Sequence, residues 1–189
     1  MKHFLAGSLL ICAVAATAHA ATVDGIGVAD SVPLGGTMLV LNGAGRRTKY
    51  FFNVYVAALY LRAHSHRAAD VLADPGPKRL SMTLMRHLSA GQLIDALREG
   101  LAHNSTPAEL ERVRAQIDAL AATMAAIGGA GTGDVLTIDF LPDGSTQVGR
   151  NGRPQGGPIA GRDFQRALLR VWLGPHPVQA DLKDELLSR

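Results

Sequence analysis

The residues best placed for chemistry lie in one segment, residues 46–61, which reads RRTKYFFNVYVAALYL. Three cations open the segment, and it carries all three tyrosines of the chain. Along one strand, alternation places Arg47 and Tyr55 on the same side of a sheet. A guanidinium suits a carboxylate or a phenolate, and a tyrosine hydroxyl donates from an apolar surface. The pair predicts a pocket for a small acidic or phenolic molecule. A solvated strand-end arginine and a core tyrosine would explain the same pattern without a ligand.

Arg86 is the third candidate, because it falls on the apolar face of a strand expected over residues 78–88. The hydrophobic residues of that face are Leu80, Met82, Leu84 and Leu88. A buried, unpaired arginine is very costly, so Arg86 must pair, reach an edge or face a wet pocket. A salt bridge to Asp95 or Glu99 and a part in ligand binding are both open.

Other patterns predict no metal and no cofactor. The glycine-rich stretch 128–134 follows a helix and has no lysine and hydroxyl residue after it, so it does not fit a phosphate loop. His64 and His66 could bind a metal weakly, but no third ligand is nearby, and a solvated loop explains them better. No nucleophile elbow or paired-histidine zinc helix is present.

The first part of the chain is expected to form strands. TMLVLN at 37–42 predicts one strand, Gly43-Ala44-Gly45 a turn, and residues 47–61 a long strand after it. A short helical turn is expected over residues 68–73, and the strand of Arg86 follows.

The second part predicts helices, then strands, then helices again. Ser89 caps a helix to about residue 102, and Thr106-Pro107-Ala108-Glu109 is a capping box that starts another to about residue 127. Residues 134–150 predict a small β meander with tight turns, and the last helices are expected over 161–173 and 178–187. Because strands and helices come in blocks, we expect an α+β fold with a mostly antiparallel sheet.

Residues 1–20 read as a signal peptide. Lys2 and His3 precede an apolar run too short to span a bilayer comfortably, and Ala18-His19-Ala20 fits a cleavage site. The only cysteine, Cys12, lies in this leader, so the mature protein has no disulfide. We expect a periplasmic or secreted protein.

The mature chain, residues 21–189, is expected to be a single domain. The sequence has 19 basic and 16 acidic side chains, a balance that does not suit a general nucleic-acid binder. No second long apolar stretch follows the leader, so stable membrane insertion is not expected after cleavage. The sequence does not indicate the oligomeric state.

Several stretches, in order along almost all of the mature chain, resemble the chalcone isomerase-like family. They are GAGRRTKYFFNVYVAALYL, LSMTLMRHLSAGQLIDALREGL, DVLTIDFLPDGSTQV, NGRPQGGPIAGRDFQRALLRVWLG and PVQADLKDELL. The resemblance is closer to a secreted bacterial branch than to the plant enzymes. It implies a large antiparallel sheet with helices on one face and a ligand cleft between them.

The resemblance also implies site residues. Arg47 best matches the arginine that assists ring closure in the plant isomerases, with Arg46 as a rival, and Tyr55 matches a threonine that organises a water. The enzymes place a tyrosine just ahead of the long middle helix, where this chain has none in residues 103–106.

Related non-catalytic members bind fatty acids through an arginine and a tyrosine. We therefore expect Arg47, Tyr55 and Arg86 to bind a fatty acid or similar small amphiphilic anion. The alternative is an isomerase that closes a chalcone-type ring by conjugate addition, with Arg47 and Tyr55 as catalytic residues. A closed core without a cleft would instead indicate an interaction module.

Overall fold

The computed structural model describes residues 20–189, so the predicted leader lies outside the described residues except for Ala20. The strands are β1 (Ala20–Val23), β2 (Ile26–Ala29), β3 (Ser31–Leu34), β4 (Thr37–Lys49), β5 (Phe52–Leu61), β6 (Lys78–Leu84), β7 (Leu88–Ser89), β8 (Gly129–Ala130), β9 (Val135–Phe140), β10 (Ser145–Arg150) and β11 (Arg153–Ala160). The helices are α1 (Ala68–Ala73), α2 (Ala90–His103), α3 (Pro107–Arg112), α4 (Arg114–Ile127), α5 (Arg162–Leu173) and α6 (Ala180–Leu186).

Seven strands form one sheet in the order β11-β10-β9-β6-β5-β4-β3, and every neighbouring pair is antiparallel. The predicted meander is formed by β9, β10 and β11. It is not a separate sheet, because β9 also pairs with β6 and thereby joins the meander to the large sheet. Two short antiparallel pairs, β1–β2 and β7–β8, complete the strands.

The two faces of the sheet have different covers. One face packs against a single large cluster that contains buried residues of α1, α2, α4, α5 and α6 and the partly buried Leu110 of α3. The other face packs against a smaller cluster that includes the β1–β2 hairpin. The alternation expected in β6 is present, since Leu80, Met82 and Leu84 are buried and the residues between them are only partly so. The α+β prediction, with helices on one face, is confirmed.

The helix starts follow the predicted caps. Ser89 and Gln92 form a capping box at α2, and Thr106 and Glu109 form another at α3. The helix expected to run from there to residue 127 is two helices, α3 and α4, separated where Val113 leaves helical geometry with φ −112° and ψ 15°. No helix in residues 20–189 is long and apolar enough to cross a membrane.

The predicted turn at Gly43-Ala44-Gly45 is wrong. Strand β4 continues through these residues to Lys49, and the chain turns at Tyr50 and Phe51. The glycines serve another purpose, because α6 packs directly on the strand there. A Cβ on Gly43 would meet the backbone of Glu185 and Leu186. The missing side chains thus allow a helix to approach the sheet closely.

Replacing Gly43 with alanine should push α6 away from β4. The obstacle is backbone, which cannot move aside as a side-chain end can, so we expect a loss of roughly 1–3 kcal/mol in the free energy of unfolding. Urea denaturation measures it. Gly27→Ala in β2 is the matched control, since a Cβ there meets nothing within 4 Å. Equal midpoints for the two variants would show that α6 does not rest on Gly43.

Candidate functional site

A cavity of about 680 Å³ lies between the sheet and helices α2, α4 and α5. Its inner wall is apolar and combines strand and helix residues, namely Met82, Leu136, Ile138, Leu93, Leu97, Gly100, Met124 and Val171. Gly100 has no side chain where α2 crosses α5, and a Cβ there would lie 2.6 Å from Val171 Cγ1. The cleft expected between sheet and helices is therefore present, and a closed core is excluded for this part of the chain.

The other end of the cavity is lined by exposed and charged residues, which mark where it meets solvent. Cations come from Arg47, Lys49 and Arg86, while Asp95 and Glu99 on α2 supply carboxylates. The cavity is thus apolar inside and polar at its mouth, the arrangement that an amphiphilic molecule requires.

Arg47 and Tyr55 lie directly opposite each other on neighbouring strands. The hairpin turn falls between them, and the register pairs Arg47 of β4 with Tyr55 of β5. Opposed residues in an antiparallel pair point to the same face, so the prediction of a shared face holds although its assumption of one strand was wrong. Both side chains line the cavity.

The Arg47 guanidinium has no carboxylate partner within residues 20–189. It is half-buried, and it donates to the carbonyl of Thr48 and, at 3.3 Å, to Gln179 Oε1. Both acceptors are neutral. The positive charge is therefore left for an anion in the cavity.

Gln179 positions this arginine. Its Oε1 accepts from the Thr48 backbone N–H at 2.8 Å, and its Nε2 donates to the Arg46 carbonyl at 3.2 Å. The β4–β5 register shifts between Arg47 and Thr48, so the amide replaces ladder bonds at an irregularity. Sequence reasoning missed Gln179, because no local pattern predicts a glutamine that pairs with a strand more than a hundred residues earlier.

Tyr55 is held by Trp172 of α5, the only tryptophan in the chain. Trp172 Nε1 donates to the Tyr55 hydroxyl oxygen at 3.0 Å. That is the only hydrogen bond of the hydroxyl among the described residues, so its hydrogen remains free to donate into the cavity. Burial raises the pKa of Tyr55, while the Trp172 hydrogen bond and the Arg47 charge oppose the rise. Tyr55 is therefore a neutral donor at neutral pH.

Arg46, the rival of Arg47, faces away from the cavity. It opposes Val56, which belongs to the cluster on the far side of the sheet. Its guanidinium pairs with Asp24 at 2.8 Å. The structure thus places Arg47, and not Arg46, at the cavity.

Arg86 is not on an apolar strand face, and the salt bridge expected to Asp95 or Glu99 is absent among the described residues. Strand β6 ends at Leu84, where the Leu84 carbonyl accepts from the Gly133 N–H at 2.8 Å and the chain bends away. Arg86 is consequently exposed at the cavity mouth. Its guanidinium carbon lies 4.7 Å from the centre of the Phe52 ring, a cation–π contact.

The remaining patterns are structural. His66 Nδ1 lies 3.1 Å from the Leu187 carbonyl, and no group of three or more potential metal ligands occurs in residues 20–189. In the stretch without the enzymes' tyrosine, Asn104 is buried and fully used. Its amide donates to the Gly100 and His176 carbonyls and accepts from the His176 N–H, which fixes the edge of the cavity.

Comparison with known proteins agrees with this architecture. The family model described as chalcone isomerase-like matches residues 20–188. Among curated proteins, none matches the sequence significantly. A crystal structure of a fatty-acid binding protein from Arabidopsis thaliana is similar, with a TM-score of 0.66 and 12% identity, covering 86% of this chain and 92% of that one. The chain belongs to the chalcone isomerase-like family.

The Tyr55 hydroxyl should make the stability of the fold decrease as the pH rises through the alkaline range. The unfolded chain ionises it near its ordinary value of 10.0, whereas the folded chain keeps the proton to higher pH. The contribution of the protonated Tyr55 to the free energy of unfolding is therefore complete below about pH 10. Above that pH the free energy of unfolding falls by up to about 1.4 kcal/mol per pH unit. Urea unfolding at about pH 8 and about pH 11 should show a smaller decline for Tyr55→Phe than for the wild type.

Tyr60 provides the internal comparison, because burial also raises its pKa, to about 12. Tyr60→Phe should reduce the alkaline decline in the same way. Only the decline is diagnostic, since Tyr55→Phe also removes the acceptor of Trp172 and lowers stability at every pH. Parallel pH curves for wild type and Tyr55→Phe would contradict a buried, neutral Tyr55.

Proposed function

We propose that this protein binds a fatty acid or a similar small amphiphilic anion in the cavity, without catalysis. The observation that carries the proposal is the Arg47–Tyr55 pair at one cavity. A guanidinium without a carboxylate partner among the described residues and a hydroxyl with a free hydrogen stand opposite each other on paired strands. Together they offer a carboxylate one charge-assisted hydrogen bond from the guanidinium and one hydrogen bond from the neutral hydroxyl.

The apolar wall suits the tail of such a ligand. Met82 and Met124 contribute flexible, polarisable side chains that adapt to a chain of variable shape. The volume of about 680 Å³ falls in the range of roughly 300–1,000 Å³ that is usual for small-molecule sites. Burial of the tail would supply most of the affinity, and the polar pair would fix the orientation.

The similar Arabidopsis structure is described as a fatty-acid binding protein, which supports the class of ligand. At 12% identity the likeness concerns the fold, so the ligand assignment rests on the cavity residues of this chain.

We further propose that binding takes place in the periplasm or outside the cell, in a single mature domain from residue 21. The support is the sequence of residues 1–20, with its basic start, short apolar run and Ala-His-Ala end.

Native mass spectrometry on protein purified from the periplasm of an expression host tests the proposal first. We expect a bound amphiphile that is identified after extraction. An empty protein that also fails to bind added fatty acid would overturn the proposal. Turnover of a chalcone by the same preparation would replace it with the isomerase alternative.

Arg47→Ala should weaken fatty-acid binding on the order of tenfold to a hundredfold, because a hydrogen bond to a charged group contributes roughly 1.5–3 kcal/mol. Titration of a fluorescent fatty acid measures it. Arg46→Ala is the matched control, since it removes the same charge from the preceding residue, which lies on the opposite face of the sheet. Equal weakening by both variants would show that net charge, rather than the cavity arginine, holds the ligand.

Leu97→Trp should block the part of the cavity that takes the tail. A larger side chain on the α2 wall fills space that the ligand needs, so we expect binding to be lost while the circular dichroism spectrum is retained. Arg98→Trp is the control, because Arg98 is exposed beside Leu97 and does not line the cavity. Retained binding in Leu97→Trp would place the ligand elsewhere.

A further inference from the structure

The tip of the β4–β5 hairpin exposes three consecutive aromatic side chains. The exposed fractions are 84% for Tyr50, 97% for Phe51 and 58% for Phe52. We call these three residues the aromatic tip. Single exposed apolar residues are common on protein surfaces, but three in a row at a projecting turn mark an interaction site.

The fold does not require aromatic residues at this position. Lys49 pairs with Phe52, so Tyr50 and Phe51 form a two-residue turn. Tyr50 adopts a positive φ of 56°, a conformation that glycine or asparagine takes with less strain in hairpin turns. A tyrosine there opposes the local preference while 84% of it is exposed, which indicates a function.

The hairpin segment that carries the tip is cationic, although Asp95 and Glu99 of α2 also line the cavity mouth. Residues 46–53 contain Arg46, Arg47 and Lys49 and no acidic residue. Arg86 adds a fourth cation, stacked on the Phe52 ring. Aromatic side chains beside cations are typical of surfaces that sit at the boundary of an anionic membrane.

The tip also stands at the cavity mouth, because Lys49, Tyr50, Phe52 and Arg86 all line the cavity. A surface that bound the aromatic tip would therefore also face the mouth of the cavity.

We propose that the aromatic tip docks the protein onto an anionic lipid bilayer. Tyr50 and Phe51 enter the interfacial region, and Lys49 and Arg86 contact the headgroup phosphates. This inference rests on the hairpin and not on the identity of the cavity ligand. Docking in this position would give an amphiphile a path between the bilayer and the cavity that avoids bulk water.

A protein partner fits the tip less well than a bilayer does. A standard interface buries about 800 Å² on each partner, whereas three aromatic side chains bury at most roughly 150–250 Å² each. The tip is a two-residue turn and the first residue of β5, which offers a partner little surface. A bilayer requires no complementary groove, and its anionic headgroups match the charge of the tip.

Co-sedimentation with vesicles tests the proposal on protein purified from the periplasm of an expression host. We expect binding to phosphatidylcholine vesicles that contain phosphatidylglycerol, and weaker binding to phosphatidylcholine alone or at high salt. Phe51→Ala should lower the partition coefficient on the order of tenfold, because it removes a large apolar side chain from the interface. Lys49→Gln should lower it roughly fivefold on anionic vesicles only.

Met38→Ala is the matched control. Met38 is also a large apolar residue, 59% exposed, but it lies near the opposite end of β4. We expect its vesicle binding to equal that of the wild type. Equal losses in Met38→Ala and Phe51→Ala, or no binding to anionic vesicles by the wild type, would overturn the proposal.

Two further readouts separate this proposal from the others. Phe51→Ala should keep its affinity for a soluble fatty acid, while Arg47→Ala should keep most of its vesicle binding, so failure of one proposal is distinguishable from failure of the other. Analytical ultracentrifugation without lipid completes the test. Self-association that Phe51→Ala abolishes, together with absent vesicle binding, would assign the tip to a second copy of the chain and overturn membrane docking.

Discussion

The pairing of β4 with β5 is the constraint on which the site depends. It places Arg47 opposite Tyr55, and the rest of the structure maintains that arrangement. Helix α6 packs on Gly43 and Gly45, and Gln179 just before it bonds the strand on both sides of Arg47. Trp172 of α5 holds Tyr55 from the helical side. Residues distant in sequence therefore converge on two side chains and fix their geometry before any ligand arrives, which reduces the entropic cost of binding.

The charges of the site suit the anionic ligand that we propose. The Arg47 guanidinium is half-buried without a carboxylate partner in residues 20–189, a state tolerated because two neutral oxygens accept its hydrogen bonds and the cavity mouth is open to solvent. Burial keeps Tyr55 protonated and thus able to donate. An anionic head group would gain charge attraction to Arg47 and a hydrogen bond from Tyr55, whereas a neutral one would gain hydrogen bonds without the charge attraction. The same hairpin carries the aromatic tip, so the proposed head-group recognition and the proposed membrane contact lie in one strand pair.

Much of the fold could be predicted from the sequence because its signals are local. The cap at Ser89 and the capping box at Thr106 marked helix starts, and the apolar residues of β6 marked a buried face. The errors arose where a distant contact decided the outcome. Gly43 and Gly45 resemble a turn but accommodate α6, and this moved the true turn to Tyr50, where the residue type argues against one. Arg86 was misplaced because β6 ends early to bond Gly133. Trp172 and Gln179 gave no local signal of a role. Strand parity and family resemblance predicted Arg47 and Tyr55 as site residues, and both line the cavity, although on two paired strands rather than one.

The most direct test of the central claim, that Arg47 and Tyr55 hold a carboxylate inside the cavity, is nuclear magnetic resonance of a bound fatty acid labelled with carbon-13 at its carboxyl group. A carboxylate beside a guanidinium and a hydroxyl donor is stabilised in its ionised form. The account predicts a single resonance for the bound carboxyl group. In wild type and Arg46→Ala, the pKa of that group should lie well below the pKa of a free fatty acid. In Arg47→Ala, the pKa should rise toward its ordinary value. A bound carboxyl group that titrates as it does in water, or identically in Arg47→Ala and Arg46→Ala, would contradict it.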